Sequence, residues 1–182
     1  GIGQVAEATG LIPNPTDGLN ATSISIGQGD VLVTPLQVAT FMAAIANGGT
    51  LYRPQLVEKI QPVSGEAISV FRPEATGTLP VSQENLVVIQ EAMRNVVESA
   101  RGTAYIRLGN FSIPVAAKTG TAESGIADPH AWFAGYSLAG REDKPDIAVV
   151  VLVNYQGEGS IWAAPIFRRV MEIYYFGSAQ TL

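Results

Sequence analysis

The sequence contains no cysteine and only one histidine among its 182 residues. Without cysteine, disulfide bonds and thiol chemistry are excluded. His130 has neither a second histidine nor a thiol to complete a site, so we expect no zinc or other metal. The spacing of a phosphate-binding loop is missing as well, and we therefore expect the protein to use no cofactor.

Charged residues are also scarce, at 15% of the chain against about 25% in an average domain. The 11 Lys and Arg are outnumbered by 16 Asp and Glu, which gives a net charge of −5. Such a chain has no basic stripe to replace the counterions of a phosphate backbone, which excludes nucleic acid as a partner. Either a large core or a surface covered by further protein would explain so little charge.

Long apolar runs are missing too, since none approaches the ~20 residues of a transmembrane helix. The chain begins Gly1-Ile2-Gly3, without a methionine or a signal sequence. We therefore expect any targeting or anchoring segment to lie outside it. The length fits one ordinary domain or a large part of a bigger one.

The clearest predicted element is a helix that begins after Thr34. Thr34 suits the N-cap, Pro35 suits the first helical position, and Gln37 completes a capping box. Asn47 and the glycines after it end the helix. Because small and apolar residues surround it almost completely, we expect a buried core helix. Residues 1–30 are rich in Gly, Pro, Asn and Thr and are predicted to be loop with at most short helical turns.

Similar patterns predict two more helices and a small hairpin. Ser82 is expected to cap an amphipathic surface helix, and a final helix is expected from about Ser160. Residues 56–60 and 68–71 predict the two short strands of a peripheral hairpin. Residues 72–81 are predicted to be a loop.

Three main strands are predicted at residues 113–121, 131–138 and 147–153. The third is apolar on both faces, so we expect it to be central and covered above and below. A polar hairpin loop gives it one neighbour, and strands from elsewhere are expected to supply the other. The fold class is therefore α+β, with an antiparallel sheet of three main strands flanked by helices and a peripheral hairpin.

The candidate site is the strand that ends on Lys118, Thr119, Gly120 and Thr121. Strand alternation places Lys118 and Gly120 on one face and the two threonines on the other. At a sheet edge, such a strand can pair with an extended peptide-like ligand, and Gly120 would not block its approach. A lysine charge and two hydroxyls suit a carboxylate. The alternative is that these residues simply end a strand and start a turn.

Five short stretches follow one another in a distinctive order and spacing. They are Ile26-Gly-Gln-Gly-Asp30, Thr34-Pro-Leu-Gln-Val-Ala39, Ala46-Asn-Gly-Gly49, Ala117-Lys-Thr-Gly-Thr-Ala122 and His130-Ala-Trp-Phe-Ala-Gly-Tyr136. Together they resemble the C-terminal half of a penicillin-binding protein transpeptidase domain of class B, the elongation or division type. The resemblance implies a partial fold of the serine β-lactamase and transpeptidase kind.

The resemblance also implies a serine-type D,D-transpeptidase reaction. A serine attacks the D-Ala-D-Ala amide of a peptidoglycan stem peptide, and an amine of a neighbouring stem then takes the acyl group to form a cross-link. β-Lactam antibiotics acylate the same serine. By this resemblance Lys118 supplies positive potential, Thr119 and Thr121 bind the substrate carboxylate, and Gly120 belongs to the substrate-binding strand. The Thr121 N–H would be an oxyanion-hole donor, so Lys118 and Thr121 are the expected catalytic residues.

Two motifs of that family are absent from the sequence. The nucleophile lies in Ser-x-x-Lys, but the residues three positions before the three lysines are Leu56, Val115 and Arg141, and no Ser-x-Asn occurs either. We therefore expect residues 1–182 to be the C-terminal portion of one transpeptidase domain and to be inactive alone. The upstream portion, in the same protein or a second chain, would carry both motifs.

Two other functions stay open at this point. One is a non-catalytic β-lactam sensor or cell-wall peptide-binding module, and the other is a serine β-lactamase, which shares the strand motif. The block from Ile26 to Gln37 and the run from His130 to Phe133 favour the transpeptidase over the lactamase. The resemblance implies a location at the extracytoplasmic face of a bacterial cytoplasmic membrane. His130 is interpreted as a loop residue that shapes a turn rather than as a general base.

Overall fold

The computed structural model describes residues 6–66, 68–125 and 127–180, which form five helices and seven strands. In chain order these are α1 Gly18–Ser25, α2 Pro35–Ala46, β1 Thr50–Tyr52, β2 Lys59–Ile60, β3 Ser69–Val70, β4 Ala75–Thr78, α3 Gln83–Glu98, α4 Tyr105–Leu108, β5 Val115–Ala122, β6 His130–Ser137, β7 Ala148–Val153 and α5 Gly159–Phe176. None of the helices in these ranges is both long and apolar enough to cross a membrane.

An antiparallel sheet in the order β5–β6–β7 forms the centre of the fold. One face packs against α5, where Phe133, Phe167 and Met171 are fully buried. The other face packs against α2, with Tyr136 and Val38 in a second apolar cluster. Two helical layers around an antiparallel sheet confirm the predicted α+β class.

The third predicted strand, β7, has one neighbour in the described part of the chain, as the sequence analysis expected; that strands from elsewhere make it central stays a prediction. β7 pairs only with β6, so it is an edge strand, and all six of its residues are partly exposed. Its two apolar faces are covered as predicted, because alternate residues pack on the α2 side and the α5 side. The strand is exposed along its edge because no other described strand lies beside it.

The capped helix α2 begins and ends where the sequence predicts. Thr34 Oγ1 accepts a hydrogen bond from Gln37 N at 3.2 Å, and Gln37 Oε1 accepts one from Thr34 N at 2.8 Å. The expectation that this helix is buried all round is wrong. One side packs against β6 and β7, whereas Phe41 on the other side is 38% exposed.

The first 30 residues contain more structure than the loop predicted for them. Residues 18–25 form the eight-residue helix α1, whose N-cap Asp17 accepts a hydrogen bond from Asn20 N at 2.8 Å. None of its residues is buried. An apolar stripe facing a core is therefore missing, and hydrophobic periodicity could not reveal the helix.

A two-stranded ribbon of β1 and β4 was also missed, because residues 72–81 were predicted to be a loop. All four residues of β4 are exposed, so the strand carries no alternating pattern. The short helix α4 was not predicted either. The peripheral hairpin is confirmed by the pairing of β2 with β3, and Ser82 caps α3 as predicted.

The N-terminus of α5 lies directly against the sheet, and Gly159 makes this close approach possible. A Cβ atom at Gly159 would overlap the carbonyl oxygen of Trp132 and lie 2.6 Å from that of Gly120. Backbone atoms of a paired sheet cannot move away without breaking the ladder. The position of α5 under the ends of β5 and β6 therefore depends on this glycine.

We expect Gly159→Ala to lower the free energy of unfolding by about 1–3 kcal/mol, because overpacking against backbone forces α5 and the sheet apart. Denaturant unfolding of the purified protein measures the change. Gly18→Ala is the matched control, since a Cβ there meets nothing within 4 Å. Equal stability of the Gly159 variant and the wild type would contradict this packing argument.

Asp146 joins the β6–β7 connection to the last turn of α5. It accepts hydrogen bonds from Ala139 N at 2.7 Å, Ser137 Oγ at 2.8 Å, Tyr175 Oη at 3.1 Å and Gly140 N at 3.2 Å. Burial by itself raises the pKa of Asp146, but these hydrogen bonds to the charged form outweigh burial and lower the pKa. Ionised Asp146 therefore stabilises the folded state.

We expect Asp146→Asn to be less stable than the wild type above about pH 5, where the carboxyl is ionised in both folded and unfolded chains. The difference shrinks as the pH falls below about 4, because a carboxyl with a lowered folded pKa loses its contribution on protonation. Unfolding free energies at a series of pH values measure this. Asp128→Asn, in an exposed loop, is the control. A difference that does not change with pH would count against the assignment.

Candidate active site

The outer edge of β5 presents backbone groups that no other described strand uses. Leu138 N donates a hydrogen bond to Pro114 O at 2.8 Å. Because N–H and C=O groups alternate between the two sides of a strand, the β5–β6 register then turns the backbone N–H and C=O groups of the even-numbered β5 residues toward β6. The N–H and C=O groups of Thr119, Thr121 and Glu123 consequently point outward. In the described part of the chain, the strand with the candidate residues thus lies at a sheet edge.

Lys118 places its positive charge at this edge. The residue is exposed and pairs across the sheet with Ala134, on the face that packs against α2. Its Nζ donates a hydrogen bond to the carbonyl oxygen of Thr119, which points outward. The ammonium group therefore lies beside the outward-pointing backbone groups, where its charge can attract an anionic ligand.

The two threonines differ in their surroundings. Thr119 is partly buried, and its hydroxyl lies 2.9 Å from that of Thr103 in the α3–α4 connection. Thr121 is exposed. Thr103 was missed by the sequence analysis, because nothing in its local pattern indicates that the connection folds back onto β5. The hydroxyls of Thr103 and Thr119 are within hydrogen-bond distance of each other, and either can be the donor.

Gly120 makes room for Trp132 on the neighbouring strand. A Cβ atom at Gly120 would lie 3.1 Å from Trp132 Cβ, which is closer than ordinary van der Waals contact. The indole can therefore pack across β5 on the α2 face. The absence of a side chain at Gly120 therefore allows close packing between β5 and β6.

A cleft of about 570 Å³ lies beside the end of β5. Its walls come from the α1–α2 connection, from residues 120–124, and from His130, Trp132 and Leu152. Gln28 in that connection bonds to the edge of β5, a contact that the sequence analysis did not predict. A second cavity of about 380 Å³, between α2 and β1, lies away from these residues.

His130 lies at the start of β6 and contacts the connection that follows β7. Its Nδ1 accepts a hydrogen bond from Tyr155 N at 3.3 Å, and the two rings lie 4.6 Å apart. Tyr155 has a φ of 55°, an unusual value for a residue other than glycine. His130 therefore belongs to strand β6 and not to a loop as predicted, and its role in shaping a turn stays a prediction.

The described ranges contain no group of three or more His, Cys, Asp or Glu side chains that could hold a metal ion. The groups that the site does offer are an ammonium, hydroxyls and outward-pointing peptide groups. Such a set can bind a carboxylate and an extended peptide and can donate hydrogen bonds to a developing oxyanion. It includes no obvious nucleophile paired with a base.

Comparison with known proteins gives the family of the chain. The family described as the penicillin binding protein transpeptidase domain matches residues 1–172, and the chain belongs to this family. It is 36% identical over 177 residues to the peptidoglycan D,D-transpeptidase PbpA of Mycolicibacterium smegmatis, an alignment that covers 91% of this chain and 33% of that protein. The chain thus spans about a third of the length of the curated relatives it matches.

Solved structures agree with this assignment. A chain from a peptidoglycan synthase complex that coordinates polymerization and crosslinking matches with a TM-score of 0.78 and 35% identity, covering 97% of this chain and 30% of that one. Penicillin-binding protein A from M. tuberculosis, in an imipenem acyl-enzyme complex, matches with a TM-score of 0.75 and 34% identity, covering 91% and 36%. The predicted family and fold are therefore confirmed.

If the complete protein is acylated by penicillin, as proposed below, we expect Gly120→Ala to lower the labelling rate roughly tenfold, because a Cβ 3.1 Å from Trp132 Cβ requires the neighbouring strand to shift by a few tenths of an ångström. Labelling of the complete protein, followed over time, measures the rate. Gly77→Ala in β4 is the control, since a Cβ there meets nothing within 4 Å. Unchanged labelling would show that the fit of Gly120 against Trp132 does not set the geometry of the site.

Proposed function

We propose that this chain is the C-terminal portion of a peptidoglycan D,D-transpeptidase domain and forms the non-covalent wall of its acyl-transfer site. The observation that carries the proposal is the outer edge of β5. There a lysine, two threonines and outward-pointing peptide groups lie together on a strand whose neighbours are fixed by the sheet. The names of the relatives favour a transpeptidase over a β-lactamase.

In the proposed reaction, a serine outside this chain attacks the carbonyl carbon between the two D-alanines of a stem peptide. The terminal D-alanine leaves as its amine takes up a proton, and an ester to the serine forms. An amine of a neighbouring stem then attacks the ester, which forms the new amide and frees the serine. A β-lactam would acylate the same serine through its ring carbonyl.

Each candidate residue of β5 has a role in this proposal. Lys118 supplies positive potential for the terminal carboxylate and for the proton network around the serine. The hydroxyls of Thr119 and Thr121 donate hydrogen bonds to the carboxylate. The outward-pointing N–H of Thr121 stabilises the oxyanion of the tetrahedral intermediate, and Gly120 keeps the strand flat against its neighbour.

We propose that an upstream portion supplies Ser-x-x-Lys, Ser-x-Asn and the strand that pairs with β7. Two observations support this: neither motif occurs in the sequence, and the outer edge of β7 has no partner among the described strands. A long, flat, apolar edge tends to pair with another strand. The same proposal places the domain at the extracytoplasmic face of a bacterial cytoplasmic membrane.

Labelling with a fluorescent penicillin, followed by the intact mass of every chain in the sample, tests this function. The expected adduct lies on the upstream portion, on the serine of Ser-x-x-Lys, and a stem-peptide donor with an amine acceptor should then give a cross-linked product. An adduct on residues 1–182 would overturn the assignment of the nucleophile. Stable acylation without transfer to the acceptor would indicate the β-lactam sensor instead.

We expect Thr121→Val in the complete protein to slow penicillin acylation by roughly tenfold to a hundredfold, since a hydrogen bond to a charged carboxylate contributes roughly 1–3 kcal/mol. Valine keeps the β-branched shape, so the strand should persist. Thr78→Val, an exposed threonine on β4, is the control. Acylation at the wild-type rate would remove the Thr121 hydroxyl from the mechanism.

A further inference from the structure

The side chain of Gln28 occupies part of the outer edge of β5. Its Nε2 donates to the carbonyl oxygen of Thr121 at 2.9 Å, and its Oε1 accepts from Glu123 N at 3.2 Å. A residue of a neighbouring strand would use the same pair of backbone groups. The side-chain amide of Gln28 thus occupies the position that a neighbouring strand would take. The part of the β5 edge that is open to a ligand ends there.

The backbone around Gln28 directs its side chain toward β5. The chain leaves α1 with Gln28 N bonded to Ser23 O at 3.0 Å, and the residues on either side are Gly27 with φ 76° and Gly29 with φ 72°. A Cβ at Gly27 would meet nothing within 4 Å, and one at Gly29 would make only an ordinary 3.6 Å contact. What these glycines supply is therefore a left-handed backbone on both sides of the glutamine.

The two bonds of Gln28 act on the peptide groups directly after the Thr121 N–H. They hold the peptide between Thr121 and Ala122 and the peptide between Ala122 and Glu123. With these fixed, the backbone of Thr121 cannot rotate freely, and its N–H keeps the direction set by β5. A donor held in place before the reaction stabilises an oxyanion better than one that must reorient.

We infer that Gln28 is a positioning residue of the acyl-transfer site, which acts by holding the end of β5 so that the Thr121 N–H is correctly directed. This inference rests on the function proposed above. In this account the Gly27–Gly29 segment directs the Gln28 side chain toward β5. The segment is neither a phosphate loop nor part of the carboxylate-binding strand. Gln28 itself makes no contact with substrate in this account.

Three variants of the complete protein test the inference. Gln28→Ala removes both bonds, whereas Gln28→Glu keeps the size and the acceptor for Glu123 N–H but directs an oxygen at the Thr121 carbonyl. Gln61→Ala, an exposed glutamine in the β2–β3 connection, is the matched control. Penicillin acylation is measured over a range of drug concentrations, to separate the saturating rate from the apparent dissociation constant. Hydrogen exchange of the Glu123 amide is measured in parallel.

We expect Gln28→Ala to lower the saturating acylation rate by about tenfold and to raise the exchange rate of the Glu123 amide by about tenfold or more. The apparent dissociation constant should change little, since the carboxylate contacts remain. Gln28→Glu should acylate no faster than Gln28→Ala while protecting the Glu123 amide better. Gln61→Ala should match the wild type in both measurements.

Two results would overturn the inference in different ways. If both Gln28 variants fold and acylate at the wild-type saturating rate, Gln28 has no positioning role although the proposed function stands. If the wild-type protein itself is never acylated, the proposed function fails and the inference fails with it. If a Gln28 variant unfolds at a lower temperature but its acylation rate per folded molecule is unchanged, Gln28 likewise has no positioning role.

Discussion

The structure depends above all on the antiparallel pairing of β5 with β6. This register decides which peptide groups of β5 face inward and which face outward, and so determines that Thr119 and Thr121 offer theirs at the edge. It brings Gly120 opposite Trp132, where a Cβ atom would lie 3.1 Å from Trp132 Cβ. It also places the two carbonyl groups against which the start of α5 packs. A shift of the β5–β6 register by one residue would change all three of these features.

The candidate site combines segments that are distant in the sequence. Thr103 in the α3–α4 connection lies within hydrogen-bond distance of the Thr119 hydroxyl, and Gln28 bonds to the end of β5 from the connection before α2. Lys118 and Thr121 lie on the strand itself. The strand supplies the groups that suit a carboxylate. The surrounding loops contact these groups from other parts of the chain.

The sheet has two open edges among the described strands, and they differ in chemistry. The outer edge of β5 is polar and ends with a lysine and hydroxyl groups, which suits a small anionic peptide. The outer edge of β7 consists of apolar residues that are all partly exposed, which suits another strand. The chain spans about a third of the length of the relatives it matches.

The sequence by itself determined the elements with strong local patterns: the capping box of Thr34 and Gln37, the amphipathic α3, and the alternation and apolar runs of β5 to β7. It also determined the family, because short motifs keep their order and spacing along the chain. It could not reveal α1 or the β1–β4 ribbon, whose exposed residues carry no periodic pattern. The contacts of Thr103 and Gln28 with β5 were decided only by the tertiary structure, because hydrogen bonds between distant segments depend on how the backbone folds back and leave no local signal.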